Sequence, residues 1–572
     1  MKLKMGLTNH YLRIGQRVRE LLLGISLNSQ RRSDSNEFNS RTTQMSMLIS
    51  HRTKFNNRRL SVIIIGVITL IIGILLSSIP WLDYFILKNL RLWNDTLSYY
   101  YWQRPGVIRL TKLYIYNVTN PDGFLRGDKP KLREIGPFVY KEDMEKVNIK
   151  FHENFTVSYQ HKKILRFVPE LSIDKNTEIV TPNIPLLTLT SQSNSLGILL
   201  SKALSLAVNM AKYKPFISVT ADQLAFGYDD ALVSLAHTFY PKHKRPMDRM
   251  GLLIGRNGTL TEVSSIHTGH NSMKNFGYIN KLNGLNYISA WKGTSCASVN
   301  GSEGSFFPPR DITKLNSVNV YDKDLCRVIP LVYQETVEKD GIEVDLFELD
   351  KKAYGNSKDN KENECFDDYS FAPEVGIQNI SPCHYGAPVY LSNPHFYQTD
   401  DIYLNSVEGL TPNKTIHKTY FKIQPKIGVP LEGKVRIQLN LKVTRAPLIS
   451  AVKDFRDFMF PIMWMEEGIS ELTPQIKRWI YLATVIGPNM IPILSYILIL
   501  LGVFEISIGF IRAYSNFIIP DHNQNEILEL NRRGIRSETS YNQQHQHHNS
   551  YSLLKSSNRS LNDYPRRSNA SF

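Results

Sequence analysis

Two long apolar runs near the ends of the chain dominate its hydrophobic pattern. Leu60 to Ile79 (LSVIIIGVITLIIGILLSSI) carries no charge, and 20 residues at about 1.5 Å each make a helix of roughly the 30 Å thickness of a bilayer core. Tyr481 to Ile511 is interrupted only by Pro488, Pro492 and Glu505. The pattern predicts two membrane-spanning helices, at 60–79 and 484–511. A cleaved signal peptide would have a shorter apolar region nearer the terminus. Between the runs the period changes. Lys112 to Val118 (KLYIYNV), Ala387 to Leu391 (APVYL) and Val435 to Val443 (VRIQLNLKV) alternate as strands do. From Leu196 to Ala211 the chain is apolar around most of a helical circumference, which predicts either a buried helix or one exposed at a binding surface. No long low-complexity linker divides residues 80–483, so they are expected to form one large domain.

Charge sets the orientation. Residues 1–59 hold 12 Lys or Arg against Glu20, Asp34 and Glu37, and residues 512–572 hold 8 basic against 5 acidic residues. Because short basic flanks stay in the cytoplasm, both tails are expected there and residues 80–483 outside or in a lumen. Most of the formal net charge of +16 therefore lies in the tails, where it reports topology rather than nucleic-acid binding. Trp81, Tyr84, Phe85, Trp93, Trp479 and Tyr481 flank the outer ends of the runs, as headgroup-level aromatics do. Glu505 lies about six residues inside the second run and is read as approaching the interface.

The middle region carries the marks of a secreted compartment. Seven Asn-x-Ser/Thr sequons, at Asn94, Asn117, Asn154, Asn257, Asn300, Asn379 and Asn413, are candidate glycosylation sites. All four cysteines, Cys296, Cys326, Cys365 and Cys383, lie there too and are expected to pair, in one of three connectivities. No Gly-rich phosphate loop, HExxH, nucleophile elbow or tight carboxylate pair occurs, so neither enzymatic activity nor a cofactor is expected. His267 and His270 fall in a Gly, Asn and Ser-rich loop without further ligands, so no metal is expected. Tyr551-Ser-Leu-Leu554 and Tyr11-Leu-Arg-Ile14 fit the Tyr-x-x-bulky-apolar pattern that endocytic adaptors read.

From Asn117 to Tyr140 (NVTNPDGFLRGDKPKLREIGPFVY) the chain closely resembles the class B scavenger receptors, the family of fatty acid translocase and the lysosomal integral membrane protein. The likeness continues through Phe226 to Asp230 (FGYDD), Ser305 to Pro309 (SFFPP), Asp324 to Arg327 (DLCR), Gly386 to Phe396 (GAPVYLSNPHF) and Pro461 to Gly468 (PIMWMEEG). It covers roughly Leu60 to Ile511 and leaves both tails unexplained.

The resemblance implies an α+β membrane protein. Two transmembrane helices would flank a large ectodomain with an irregular antiparallel β-barrel core and an apical helical bundle enclosing a tunnel. It implies a receptor that binds fatty acids, sterol esters, lipoproteins, modified-lipid particles or polyanionic ligands and transfers lipid to the membrane. The alternative is a lysosomal or endosomal membrane protein sorting a lumenal enzyme. Plasma-membrane residence is expected on the first reading. The resemblance also implies the crossed pairing of Cys296 with Cys365 and Cys326 with Cys383. It aligns Lys212 and Lys214 with lysines that engage anionic lipids. Asp367 stands where many relatives carry another cysteine, so a third disulfide is absent.

Overall fold

The computed structural model describes residues 57–193, 198–239, 247–358, 360–366, 375–453 and 455–518. Helix α1 (Asn57–Ser78) stops before Pro80, after which α2 (Trp81–Leu90) and α3 (Leu97–Gln103) lead into the sheet. Thr96 caps α3 by accepting a hydrogen bond from the Tyr99 amide, which satisfies one of the free donors of a first helical turn. The strands follow: β1 (Val107–Val118), β2 (Leu132–Phe151), β3 (Thr156–Phe167), β4 (Glu178–Pro182), β5 (Phe216–Thr220), β6 (Gly258–His267) and β7 (Ile279–Leu282). After them come β8 (Ser317–Asp322), β9 (Arg327–Lys339), β10 (Ile342–Leu349), β11 (Ile377–Asn379), β12 (Val389–Ser392), β13 (Tyr420–Ile423), β14 (Pro430–Val443) and β15 (Phe458–Leu472).

Thirteen of these strands form one antiparallel sheet in the order β7-β6-β3-β2-β1-β15-β14-β13-β10-β9-β8, with β12 also paired to β14 and β11 to β12. Its two ends meet around Ser302. Ser302 bridges Tyr278 at the foot of β7 on one side and Val320 of β8 on the other, and its amide donates to Asn319 O at 2.8 Å while its carbonyl accepts from Tyr321 N at 2.8 Å. Gly301 O also accepts from Ile279 N at 2.9 Å and Tyr278 Oη from Asn319 N at 3.1 Å, so the barrel is closed around Ser302, which covers edges that would otherwise offer unpaired backbone groups. The expected irregular antiparallel barrel is present.

Among the described residues four α-helices lie between β4 and β6: α4 (Ile184–Ser193), α5 (Ile198–Met210), α6 (Ala221–Phe226) and α7 (Ala231–Phe239). Of these, α5 is the apolar helix read from the sequence. It buries Val208 but exposes Ile198 and Leu199 at 78% and 85%. Leu186 and Leu187 of α4 are fully buried in the main core.

Residues Leu76–Leu494 form one compact unit, yet it contains two hydrophobic cores. One surrounds β1, β2, β14, β15 and α4, with Phe138, Phe460 and Met463 at 0% exposure. The other gathers β3, β6 and β7 with Ile86 and Leu90 of α2, Trp102 of α3, and Ile476 and Ile480 of α8 (Pro474–Tyr481). Two cores suit a domain of this size, since single cores stop growing at about 250–300 residues.

A π-helical turn (Leu482–Ile486) joins α8 to α9 (Gly487–Ile518), so the second span is part of a longer helical run. Leu60–Ser78 and Pro474–Ser515 are each long and apolar enough to cross a membrane. Glycines seven residues apart line their contact, Gly66 and Gly73 on α1 with Gly502 and Gly509 on α9. A Cβ at Gly502 would sit 2.6 Å from Leu70 N. Close backbone approach is how helices associate in lipid, where no hydrophobic effect drives them together. Glu505 lies beside Gly66, with Oε2 buried and without a hydrogen-bond partner among the described residues.

Candidate functional site

Three cavities succeed one another along β14 and β15. The first, of about 450 Å³, is walled by Leu82, Ile86 and Leu90 of α2, Tyr101 and Trp102 of α3, Pro430, Ile469 and Leu472 of the two strands, and Ile476 and Ile480 of α8. This proximal cavity is apolar because α2 and α8 turn their buried faces toward it. The second, of about 110 Å³, is reached at Val435 and Glu467 and is lined by Arg109, His161, Lys163, Glu303, Asp322 and Asp324. The third, of about 300 Å³, lies at Leu439, Leu441 and Ile462, under Ile184 and Leu189 of α4 and Leu232 and Ala236 of α7. Three cavities thus follow the two strands in order, apolar at both ends and charged in the middle. Arg109, Gly304 and Ile469 border both the first and the second.

The middle chamber is a lattice of ion pairs between strands. Glu142 of β2 meets Lys163 of β3 at 2.7 Å and Arg109 of β1 at 3.4 Å. Glu303 meets the fully buried Lys146 at 3.2 Å and His161 at 2.9 Å. Arg256 joins Asp324, at 2.7 Å, to Glu467 of β15, and Nη2, the nitrogen that meets Asp324, also reaches Met465 Sδ at 3.7 Å. Burial works to raise the Glu142 pKa, but Arg109 and Lys163 outweigh it and hold the carboxyl down at about 2. Burial lowers the His161 pKa, with the facing Glu303 opposing. Asp322 is pushed up to about 6 by burial, then by Asp324 and Glu467. Sequence reading did not find this lattice. Its only trace was charge at alternate positions within apolar strands, and the partners come from β1, β2, β3, β8 and β15 and from loops.

The pairing expected for the cysteines is present, Cys296 with Cys365 and Cys326 with Cys383, with Cα atoms 6.1 Å apart in both. Lys212 and Lys214 lie exposed in the turn between α5 and β5, Lys212 in the left-handed region at φ 51°. Neither lines any of the three cavities. Of the sequon residues, Asn94, Asn154, Asn257, Asn300 and Asn413 are exposed and Asn379 is half-buried. Asn117 is buried, its Oδ1 accepting the Val180 amide at 2.7 Å. His270 stacks on Phe155 at 5.4 Å and approaches Trp93 at 5.8 Å. Among the described residues no group of three or more His, Cys, Asp or Glu is placed to hold a metal ion. Tyr11, Ile14, Tyr551 and Leu554 lie outside the described residues.

A barrel with internal cavities, carried between two candidate spans, defines a two-span membrane protein with a ligand-accommodating ectodomain. The sequence profile of the CD36 family matches residues 64–513, and the chain belongs to that family. It is 30% identical over 420 residues to scavenger receptor class B member 1 of Bos taurus, covering 73% of this chain and 81% of the relative. It is 32% identical over 433 residues to lysosome membrane protein 2 of Mus musculus, covering 74% and 87%.

Proposed function

We propose that this protein is a scavenger-type receptor whose ectodomain accepts lipid and passes it toward the bilayer. One observation carries the reading. The cavities line up along β14 and β15, and the proximal one is walled by α2 and α8, the segments that adjoin the two spans in the chain. An apolar wall spares a lipid tail about 0.8 kcal/mol per CH₂ of contact with water, so cargo can rest in the cavities and end in the membrane with no bond made or broken. The ligands in this reading are fatty acids, sterol esters or particles that carry them. Lys212 and Lys214 offer anionic headgroups a charged contact at the exposed end of α5. Residence at the cell surface, with endocytic adaptors reading Tyr551–Leu554 and Tyr11–Ile14, completes the proposal. The alternative, sorting of a lumenal enzyme, draws only on the exposed apolar side chains of α5 and is not favoured.

The test is uptake of a fluorescent sterol ester by cells displaying equal amounts of wild type, Leu472→Trp and Leu189→Trp, which plug the proximal and distal cavities. Uptake should fall several-fold in both variants. Unchanged uptake in both would sink the proposal. Lys212→Ala with Lys214→Ala should weaken binding of anionic lipid particles several-fold, and more at low salt, where screening is least.

A further inference from the structure

Among the described residues, Arg109 is the one charged residue in the wall of the proximal cavity. It stands at the inner end, where that cavity abuts the charged chamber. Glu142 compensates its charge, but its N–H donors are largely unfilled. The only ion pair it makes among the described residues is the 3.4 Å approach of Nε to Glu142, and Glu142 has the closer partner Lys163 at 2.7 Å. Nε is buried and lacks a hydrogen-bond partner. The two Nη groups, which carry four further N–H donors, make no hydrogen bond to any described residue. The other carboxylates that act on Arg109 are likewise taken: Glu303 by Lys146 and His161, Glu467 by Arg256. A guanidinium left with free donors at the closed end of an apolar cavity is matched by a planar anion carrying an apolar chain.

We propose that Arg109 holds the carboxylate of a long-chain fatty acid, whose acyl chain lies in the proximal cavity among Phe306, Leu472, Ile476 and Ile480 with its methyl end toward Phe85 and Trp479. The proposal rests on the lipid-carrying reading above and narrows it to one ligand class and one orientation, carboxylate inward. Phe85 and Trp479, which line the cavity, are 63% and 51% exposed and mark its open side. Its volume of about 450 Å³ lies in the range of about 300–1,000 Å³ usual for small-ligand sites. This site differs from the Lys212 and Lys214 contact, which is exposed and borders none of the three cavities.

The experiment uses the full chain in nanodiscs of zwitterionic phospholipid, labelled by a fatty acid bearing a diazirine near its methyl end, with oleate or methyl oleate as competitor. In the wild type, labelling should map by mass spectrometry to residues 476–483 and 82–90. Oleate should compete at least about tenfold better than its uncharged ester, the advantage of a well-made charge-assisted pair. Arg109→Gln should abolish that preference while leaving competition by methyl oleate unchanged, and Arg109→Lys should keep part of it. Equal competition by acid and ester in the wild type overturns the proposal but leaves the lipid-carrying reading standing. The wild-type comparison decides even if Arg109→Gln fails to fold. An unchanged preference in a folded Arg109→Gln also overturns it. No labelling of the cavity by any probe overturns the lipid-carrying reading itself.

Discussion

The imidazole rings of His395 and His417 lie face to face, 4.4 Å between centroids and 10° from parallel. Each accepts a backbone N–H at Nδ1, from Thr411 and Asn413 respectively, at 3.0 Å. With Nδ1 an acceptor, His395 Nε2 carries the proton and donates it to Glu134 at 2.6 Å, which also accepts from Trp464 Nε1 at 2.6 Å. The His417 ring is held neutral by this arrangement, since a charged imidazole has no acceptor nitrogen.

Acid should therefore loosen this corner of the barrel. Burial, then His395 and Arg436, push the His417 pKa down to about 4, with Glu134 opposing, whereas an unfolded histidine titrates near about 6.5. The stability this ring contributes is complete above about pH 6.5 and is lost as pH falls toward about 4. His417→Asn, whose Oδ1 can still accept the Asn413 amide, should flatten the fall in melting temperature over that interval. Parallel profiles for wild type and variant would refute the assignment.

Asp322 should act in the opposite sense. With a folded pKa of about 6 against roughly 3.9 unfolded, its favourable contribution is present below about pH 4 and is lost as pH rises through about 6. Asp322→Asn keeps an oxygen for the Asp324 and Leu325 amides, now accepted at 2.8 and 3.1 Å, and removes the repulsion from Asp324 and Glu467. The melting temperature should rise by about 2–4 °C at pH 7.5, equivalent to about 1 kcal/mol, and change little at pH 4.5. Calorimetry at the two pH values checks it.

The Cys296–Cys365 bridge spans 69 residues, a loop for which the chain-entropy account gives about 4 kcal/mol. The double variant Cys296→Ser with Cys365→Ser should lower thermal stability by an amount of that order. Non-reducing peptide mapping of this variant should still recover Cys326 joined to Cys383. Loss of that second bridge would mean that the two do not form independently.

Asn117 should carry no glycan although it heads a sequon, because its side chain is only 8% exposed and holds the Val180 amide. Asn117→Gln should leave the enzymatic deglycosylation ladder unchanged and still cost about 1–2 kcal/mol of stability through the lost buried hydrogen bond. A ladder one step shorter in the variant would show that the site is modified.

Local signals were legible. The alternation of Lys112 to Val118 lies within β1, that of Val435 to Val443 within β14, and α5 (Ile198–Met210) falls inside the apolar stretch read as a helix. The spans were legible too, since length and near-absence of charge need no partner to be read. The charged chamber was hidden for a physical reason. Lys146 looks like a solvated strand lysine, but it is fully buried against Glu303, 157 positions away in the chain, and under Trp102 at 5.1 Å. Only the register of the closed barrel brings such charges together. Trp93 shows the same limit. Expected at the headgroup level, it is about half exposed and packs on Phe151 at 5.1 Å.

The pairing of β1 with β15, Val107 opposite Leu472, sets a clock on biosynthesis. These strands sit side by side in the sheet, but they are made at opposite ends of the ectodomain. At about 5–20 residues per second, β1 waits roughly 20 to 70 s for the strand that will cover its edge. Throughout that interval the first half of the barrel presents an open, largely apolar seam to the compartment in which it is made. Lumenal chaperones have that long in which to keep it from pairing with the wrong partner, and a ribosome that stalls before β15 leaves a barrel that cannot shut.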